Sequence, residues 1–187
     1  MNNRKTLIIL MLVLVAVIVG ASVLYKSLGD AVNPDQLAEQ ATEETDAPQV
    51  QAPDFTVYDI DGNEVKLSDF FGKPIVVNFW ASWCGPCQME MPDFEEKYLE
   101  LGEEVTFLIV NMTDGSRETV EIASAFIAEK GYTFPVFYDT ASSAAMTYGV
   151  YSLPTTYFID AQGNIIARAT GAIDSATLQK GIDMITK

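Results

Sequence analysis

The sequence predicts an α/β domain with a mixed central β-sheet flanked by helices, preceded by a single N-terminal transmembrane helix. Three observations lead there. Apolar runs at 75–80 and 105–110 read as buried strands, and each is followed by a stretch with helical spacing. A strand pair and a last helix close the chain, and a long uncharged apolar stretch opens it.

Residues 1–26 read as an anchor. Arg4 and Lys5 precede the apolar stretch 7–25, whose only polar members are Ser22 and the terminal Tyr25, and Lys26 follows. That length suits a bilayer-spanning helix. The flanking cations place the N-terminus in the cytoplasm and the rest outside. A cleaved signal peptide would have a shorter apolar core and a small-x-small site. There is no clear Ala-x-Ala site, so an uncleaved signal anchor is expected, and either reading exports the domain. No cysteine follows the segment, which excludes a lipid-modified N-terminal cysteine. Residues 27–52 are acidic and lack aromatics, and they read as a flexible linker reaching roughly 25–30 Å. Such a tether keeps the domain near membrane-bound partners. A short helix near 36–40 is compatible with it.

The folded domain is expected over 53–187. Residues 55–60 and 64–68 flank an Asp61-Gly62-Asn63 turn and form an N-terminal β-hairpin. The strand at 75–80 leads into a helix at 86–101, in which Pro92 predicts a kink. A strand at 105–110 precedes a helix at 116–130 ending at Gly131. An inserted strand and helix follow at 136–138 and 141–148. Strands at 155–160 and 164–169 flank Ala161-Gln162-Gly163, and Asp174 or Ser175 caps a last helix to residue 185.

Composition excludes several classes of function. There is no histidine, so Ser-His and Cys-His nucleophile pairs and imidazole metal ligands are out. With two cysteines, a four-ligand zinc site would have to be half carboxylate or shared between chains, so no metal is expected. The net charge of −15 argues against nucleic-acid partners and against a basic face lying on anionic lipid.

The chemistry sits at residues 80–87, Trp-Ala-Ser-Trp-Cys-Gly-Pro-Cys. Two thiols two residues apart at a strand-to-helix junction form a reversible dithiol/disulfide switch. The pair carries the electrons itself, so no cofactor is expected. Cys84 precedes the helix, where free N–H groups and the helix dipole favour a thiolate, and it is expected to be the exposed attacking sulfur. Cys87, on the same side, would resolve the mixed disulfide. A permanent staple is disfavoured because so short a loop constrains the unfolded chain little. Gly85 allows a tight turn, and Pro86 is tolerated in a first helical turn. Cys87, Met91, Phe94, Tyr98 and Leu101 form an apolar stripe bordered by Glu90. A carboxylate there either exchanges the Cys87 proton or is one more solvated acid on an acidic helix. Pro154 opens a strand, with its bond open to either isomer.

Together these residues resemble the thioredoxin superfamily, and more closely its membrane-anchored, extracytoplasmic TlpA/ResA-type branch. Trp83-Cys84-Gly85-Pro86-Cys87 matches the thioredoxin motif, and Pro92 matches its helix-kinking proline. The branch is suggested by Pro53-Asp54-Phe55 with Asp61-Gly62 and Val65-Lys66-Leu67-Ser68, by Phe134-Pro135 with Asp139, and by Pro154-Thr155-Thr156 with Ile159-Asp160 and Gly163. The resemblance covers about 53–187 and implies a thioredoxin-like fold. It implies a Cys84–Cys87 disulfide, Pro154 as the cis-proline of a substrate groove that includes Trp83, and Leu153 backbone groups pairing with substrate. Thioredoxin's buried aspartate, six residues before the first cysteine, is Asn78 here. The branch instead has a glutamate at the place of Glu90, which favours the proton-exchange role. The implied enzyme is a thiol-disulfide oxidoreductase working as a reductase on exported proteins such as apocytochrome c, with electrons from a transmembrane thiol donor. The rivals are a disulfide oxidase or isomerase, a thiol peroxidase, and a non-catalytic binding module.

Overall fold

The computed structural model describes residues 38–39 and 50–187. The expected anchor at 7–25 and most of the expected linker lie outside them. Among the described residues, no helix is long and apolar enough to cross a membrane.

Eight strands of the described residues form one mixed sheet. They are β1 (Ala38–Glu39), β2 (Thr56–Tyr58), β3 (Glu64–Lys66), β4 (Ile75–Trp80), β5 (Thr106–Asn111), β6 (Val136–Tyr138), β7 (Thr155–Ile159) and β8 (Ile165–Thr170). The helices are α1 (Gly85–Leu101), α2 (Val120–Lys130), α3 (Ser143–Thr147) and α4 (Ser175–Ile185), with a 3-10 turn at Leu67–Phe70. The strand order is β1-β8-β7-β4-β5-β6-β2-β3. β4–β5 and β5–β6 are parallel and the other pairs antiparallel.

All six residues of β4 are buried, as an unbroken apolar run requires of a strand covered on both faces. The period of two sends Ile75, Val77 and Phe79 to one side, where they meet Phe55, Leu67 and Tyr148. It sends Val76 and Trp80 to the other, where they meet Met91 and Phe94 of α1 and Leu178 and Ile182 of α4. Each such buried side chain contributes on the order of 2 kcal/mol. Asn78 shares this second face and is 2% exposed, so it needs a partner.

Two differences from the sequence reading have local causes. Residues 50–52, read as linker, lie against the domain. Ala52 is buried, its N–H donates to Gly163 O at 2.8 Å, and Val50 O accepts from Ile165 N–H at 2.9 Å. Ala38–Glu39 likewise pairs with Arg168 and Ala167 of β8. An edge strand offers unpaired backbone groups that a neighbouring segment satisfies. The helix expected from 116 begins at 120. Asp114 Oδ1 accepts from the N–H groups of Ser116, Arg117 and Glu118 and holds the segment as a loop, and Thr119 caps the helix by accepting from Ile122 N–H.

Candidate active site

β4 ends at Trp80, and a turn at Ala81–Cys84 delivers the chain to α1, closed by Cys84 N–H donating to Ala81 O at 3.1 Å. Cys84 is the N-cap of α1, and its Sγ accepts from Cys87 N–H at 3.2 Å. That is the geometry in which free N–H groups stabilise a negative sulfur. The two cysteines are joined, with S–S 2.07 Å and Cα–Cα 5.2 Å. Pro86 sits in the first turn, where its missing N–H loses no helical bond. Gly85 adopts no left-handed conformation, and a Cβ there would meet nothing within 4 Å. The tight turn expected of it is made by residues 81–84 instead.

Cys84 is not the exposed sulfur the sequence suggests. It is 5% exposed, against 0% for Cys87, so the expected order survives but not the degree. Its bond to a fully buried partner and the walls around it hold the sulfur at the floor of a groove. This groove encloses about 600 Å³, and its lining includes Trp83, Cys84, Pro86, Arg117, Tyr151 and Leu153. Gly85 also lines it. Trp83 and Tyr151 expose apolar surface there, at 42% and 97%. The Leu153–Pro154 bond is cis. Pro154 is buried, and its carbonyl accepts from Gly171 N–H at 2.9 Å.

Glu90 lies on the sheet side of α1, 2% exposed. One carboxylate oxygen accepts from Asn78 Nδ2 at 2.8 Å and the other from Ile173 N–H at 3.0 Å. Asn78 Nδ2 also donates to Thr156 Oγ1 at 3.1 Å. Burial pushes the Glu90 carboxyl up to about 7; the two donated hydrogen bonds oppose this and the charge of Asp93 adds to it. A buried carboxyl poised near neutrality, three residues along the helix from Cys87, is suited to taking or giving a proton. It is no solvated surface acid. A small cleft lined by Met89, Asp93, Ala172 and Asp174 borders it.

The structure thus brings Trp83, Cys84, Gly85, Pro86 and Leu153 to one groove, with Cys87 and Glu90 in the core behind. The sequence reading does not single out Ile173, Tyr151, Arg117 or Glu118. The first acts through its backbone, and the others come from loops distant in sequence, so no motif marks them.

The chain is similar to known proteins along most of its length. The profile described as the AhpC/TSA family matches residues 48–168. The chain is 36% identical over 139 residues to a thiol-disulfide oxidoreductase ResA of Bacillus thuringiensis subsp. konkukian, covering 73% of this chain and 77% of the relative. Among solved structures it is similar to StoA from Bacillus subtilis, with TM-score 0.61 and 26% identity over 72% of this chain and 99% of that one. It is also similar to the pneumococcal exposed lipoprotein thioredoxin Etrx1 from Streptococcus pneumoniae, with TM-score 0.59 and 34% identity over 70% and 99%.

Proposed function

The chain belongs to the AhpC/TSA family and is a thioredoxin-like thiol-disulfide oxidoreductase, and from that premise we propose that it is tethered to the membrane, faces the extracytoplasmic side and reduces disulfides of selected exported proteins. The observation that carries the reading is a closed Cys84–Cys87 pair at a helix N-terminus with Glu90 buried behind it. The apolar stretch 7–25 with its flanking cations supports the tether.

In the proposed cycle the reduced enzyme meets a substrate disulfide in the groove. Cys84 thiolate attacks one sulfur, forming a mixed disulfide and expelling the other substrate sulfur as a thiolate, which takes up a proton. Cys87 gives its proton to Glu90 and attacks Cys84 Sγ. The second substrate sulfur leaves as a thiolate and takes the proton from Glu90, which returns to its carboxylate, and the enzyme is left as the Cys84–Cys87 disulfide. Two electrons pass to the substrate, and a transmembrane thiol donor restores the dithiol. Leu153 backbone groups beside Pro154 pair with the substrate segment, and Trp83 and Tyr151 hold its apolar side chains. The ResA-type resemblance supports apocytochrome c as one such substrate.

Trapping tests the reading. A Cys87→Ala variant of the full chain should hold exported proteins as mixed disulfides through Cys84, in the membrane fraction. The reduction potential should lie near thioredoxin's, about −270 mV. A value near −120 mV would make the protein an oxidase, and oxidation by peroxide far faster than an ordinary thiol's would make it a peroxidase.

A further inference from the structure

The loop between β5 and α2 is built as a rigid hand. Asp114 Oδ1 gathers the N–H groups of Ser116, Arg117 and Glu118 at 2.7, 2.8 and 3.0 Å. Gly115 takes the left-handed conformation with φ +75°, and its N–H donates to Glu118 O at 3.0 Å. Two consecutive side chains of this loop then reach the dithiol loop. Glu118 is fully buried. Its Oε1 accepts from Ser82 N–H at 2.8 Å and from Asn111 Nδ2 at 2.7 Å, and its Oε2 accepts from Ser82 Oγ at 2.6 Å. Arg117 lays its guanidinium over the Trp83 indole, with Cζ 3.7 Å from the ring centroid. Ser82 and Trp83 are the two central residues of the Ala81–Cys84 turn. Both are therefore gripped from one neighbouring loop, and the next residue is Cys84.

We propose that Glu118 and Arg117 are positioning residues, locking the Ala81–Cys84 turn so that the Cys84 sulfur stays at the helix N-terminus and the groove floor when the disulfide is open. While the S–S bond exists, the covalent link to Cys87 holds that sulfur. After reduction its place depends on the turn and on the Cys87 N–H at the helix N-terminus. Removing the Glu118 carboxylate leaves the buried Asn111 amide and the half-buried Ser82 N–H without their acceptor, which is costly. The Arg117 stack is exposed and weaker. Glu118 therefore carries more of the effect. The inference rests on Cys84 being the attacking sulfur.

The test uses the reduced full chain with oxidised glutathione as the disulfide probe, comparing wild type with Glu118→Ala, Glu118→Gln and Arg117→Leu. The two readouts are the pH midpoint of Cys84 alkylation by iodoacetamide and the exchange rate at pH 7. Glu118→Ala is expected to move the midpoint upward, as the sulfur leaves the N–H groups of α1, and to slow exchange about tenfold. Arg117→Leu should slow it about threefold. Glu118→Gln, which still offers an oxygen to Ser82 N–H, should recover most of the rate. If Glu118→Ala changes only the unfolding midpoint, with alkylation and exchange within about twofold of wild type, the positioning role is overturned. Should that variant not fold, Ser82→Ala combined with Arg117→Leu takes its place under the same two outcomes. Wild-type alkylation mapping first to Cys87 would instead refute the reading of Cys84 itself.

Discussion

Replacing Glu90 with glutamine removes a carboxyl that folding moves from an ordinary 4.5 to about 7, chiefly by burial. The direction of the stability change follows from proton counting. The unfolded chain releases this proton near 4.5 and the folded chain near 7, so between those values the native state binds more protons and its stability falls as pH rises. The contribution is complete below 4.5 and lost above 7. At about 1.4 kcal/mol for each tenfold in proton affinity, the interval is worth about 3 kcal/mol. Glu90 is 2% exposed, so solvent does not discount it. The assay is urea unfolding of the oxidised protein from about pH 4 to 8.5 for wild type and Glu90→Gln, read as the difference between the two. Other titrating groups cancel in that difference, including Asp139, whose carboxyl burial also pushes up. Asn78 Nδ2 and Ile173 N–H are both donors, and an amide offers them one oxygen, so the variant carries a fixed penalty independent of pH. The wild type should lose about 3 kcal/mol relative to the variant between pH 4.5 and 7. A difference that stays flat across this window would refute the buried, neutral-leaning carboxyl.

The same variant should slow resolution of the Cys84 mixed disulfide at pH 7 by about 100-fold if Glu90 accepts the Cys87 proton. Stopped-flow release of a fluorescent thiol from the mixed disulfide measures this step, and an unchanged rate would remove Glu90 from the proton path. Gly181→Ala should destabilise the fold by about 1–3 kcal/mol, because a Cβ there would enter the ring of Phe158 under α4. Urea midpoints check it, and an unchanged midpoint would show that Phe158 gives way freely.

Legibility in the sequence followed how local the determining physics is. The β4 run Ile-Val-Val-Asn-Phe-Trp allows little but a strand buried on both faces, and the expected bounds coincide with those found. Asp174 caps α4 where an Asx residue before an apolar pattern says it should. The start of α2 differs for an equally local reason that spacing conceals: Asp114 and a left-handed Gly115 close a turn over 114–118, and Thr119 rather than a residue before 116 caps the helix. Glu90 was half legible. Its spacing from Cys87 marks the apolar border, but whether that border faces solvent or Asn78 depends on where β4 and the turn before α4 lie.

The sequence by itself determined that a dithiol stands at a strand-to-helix junction in an α/β domain, because residue type and short-range spacing are enough for that. Only the tertiary structure decided how that dithiol is surrounded. Cys84 lies at a groove floor instead of in solvent, Glu90 is pushed toward neutrality, and Glu118 and Arg117 contact the turn before Cys84. Burial and hydrogen-bond partnership are properties of what comes to lie opposite a residue, and for Glu90 those partners are Asn78 and Ile173, far from it along the chain.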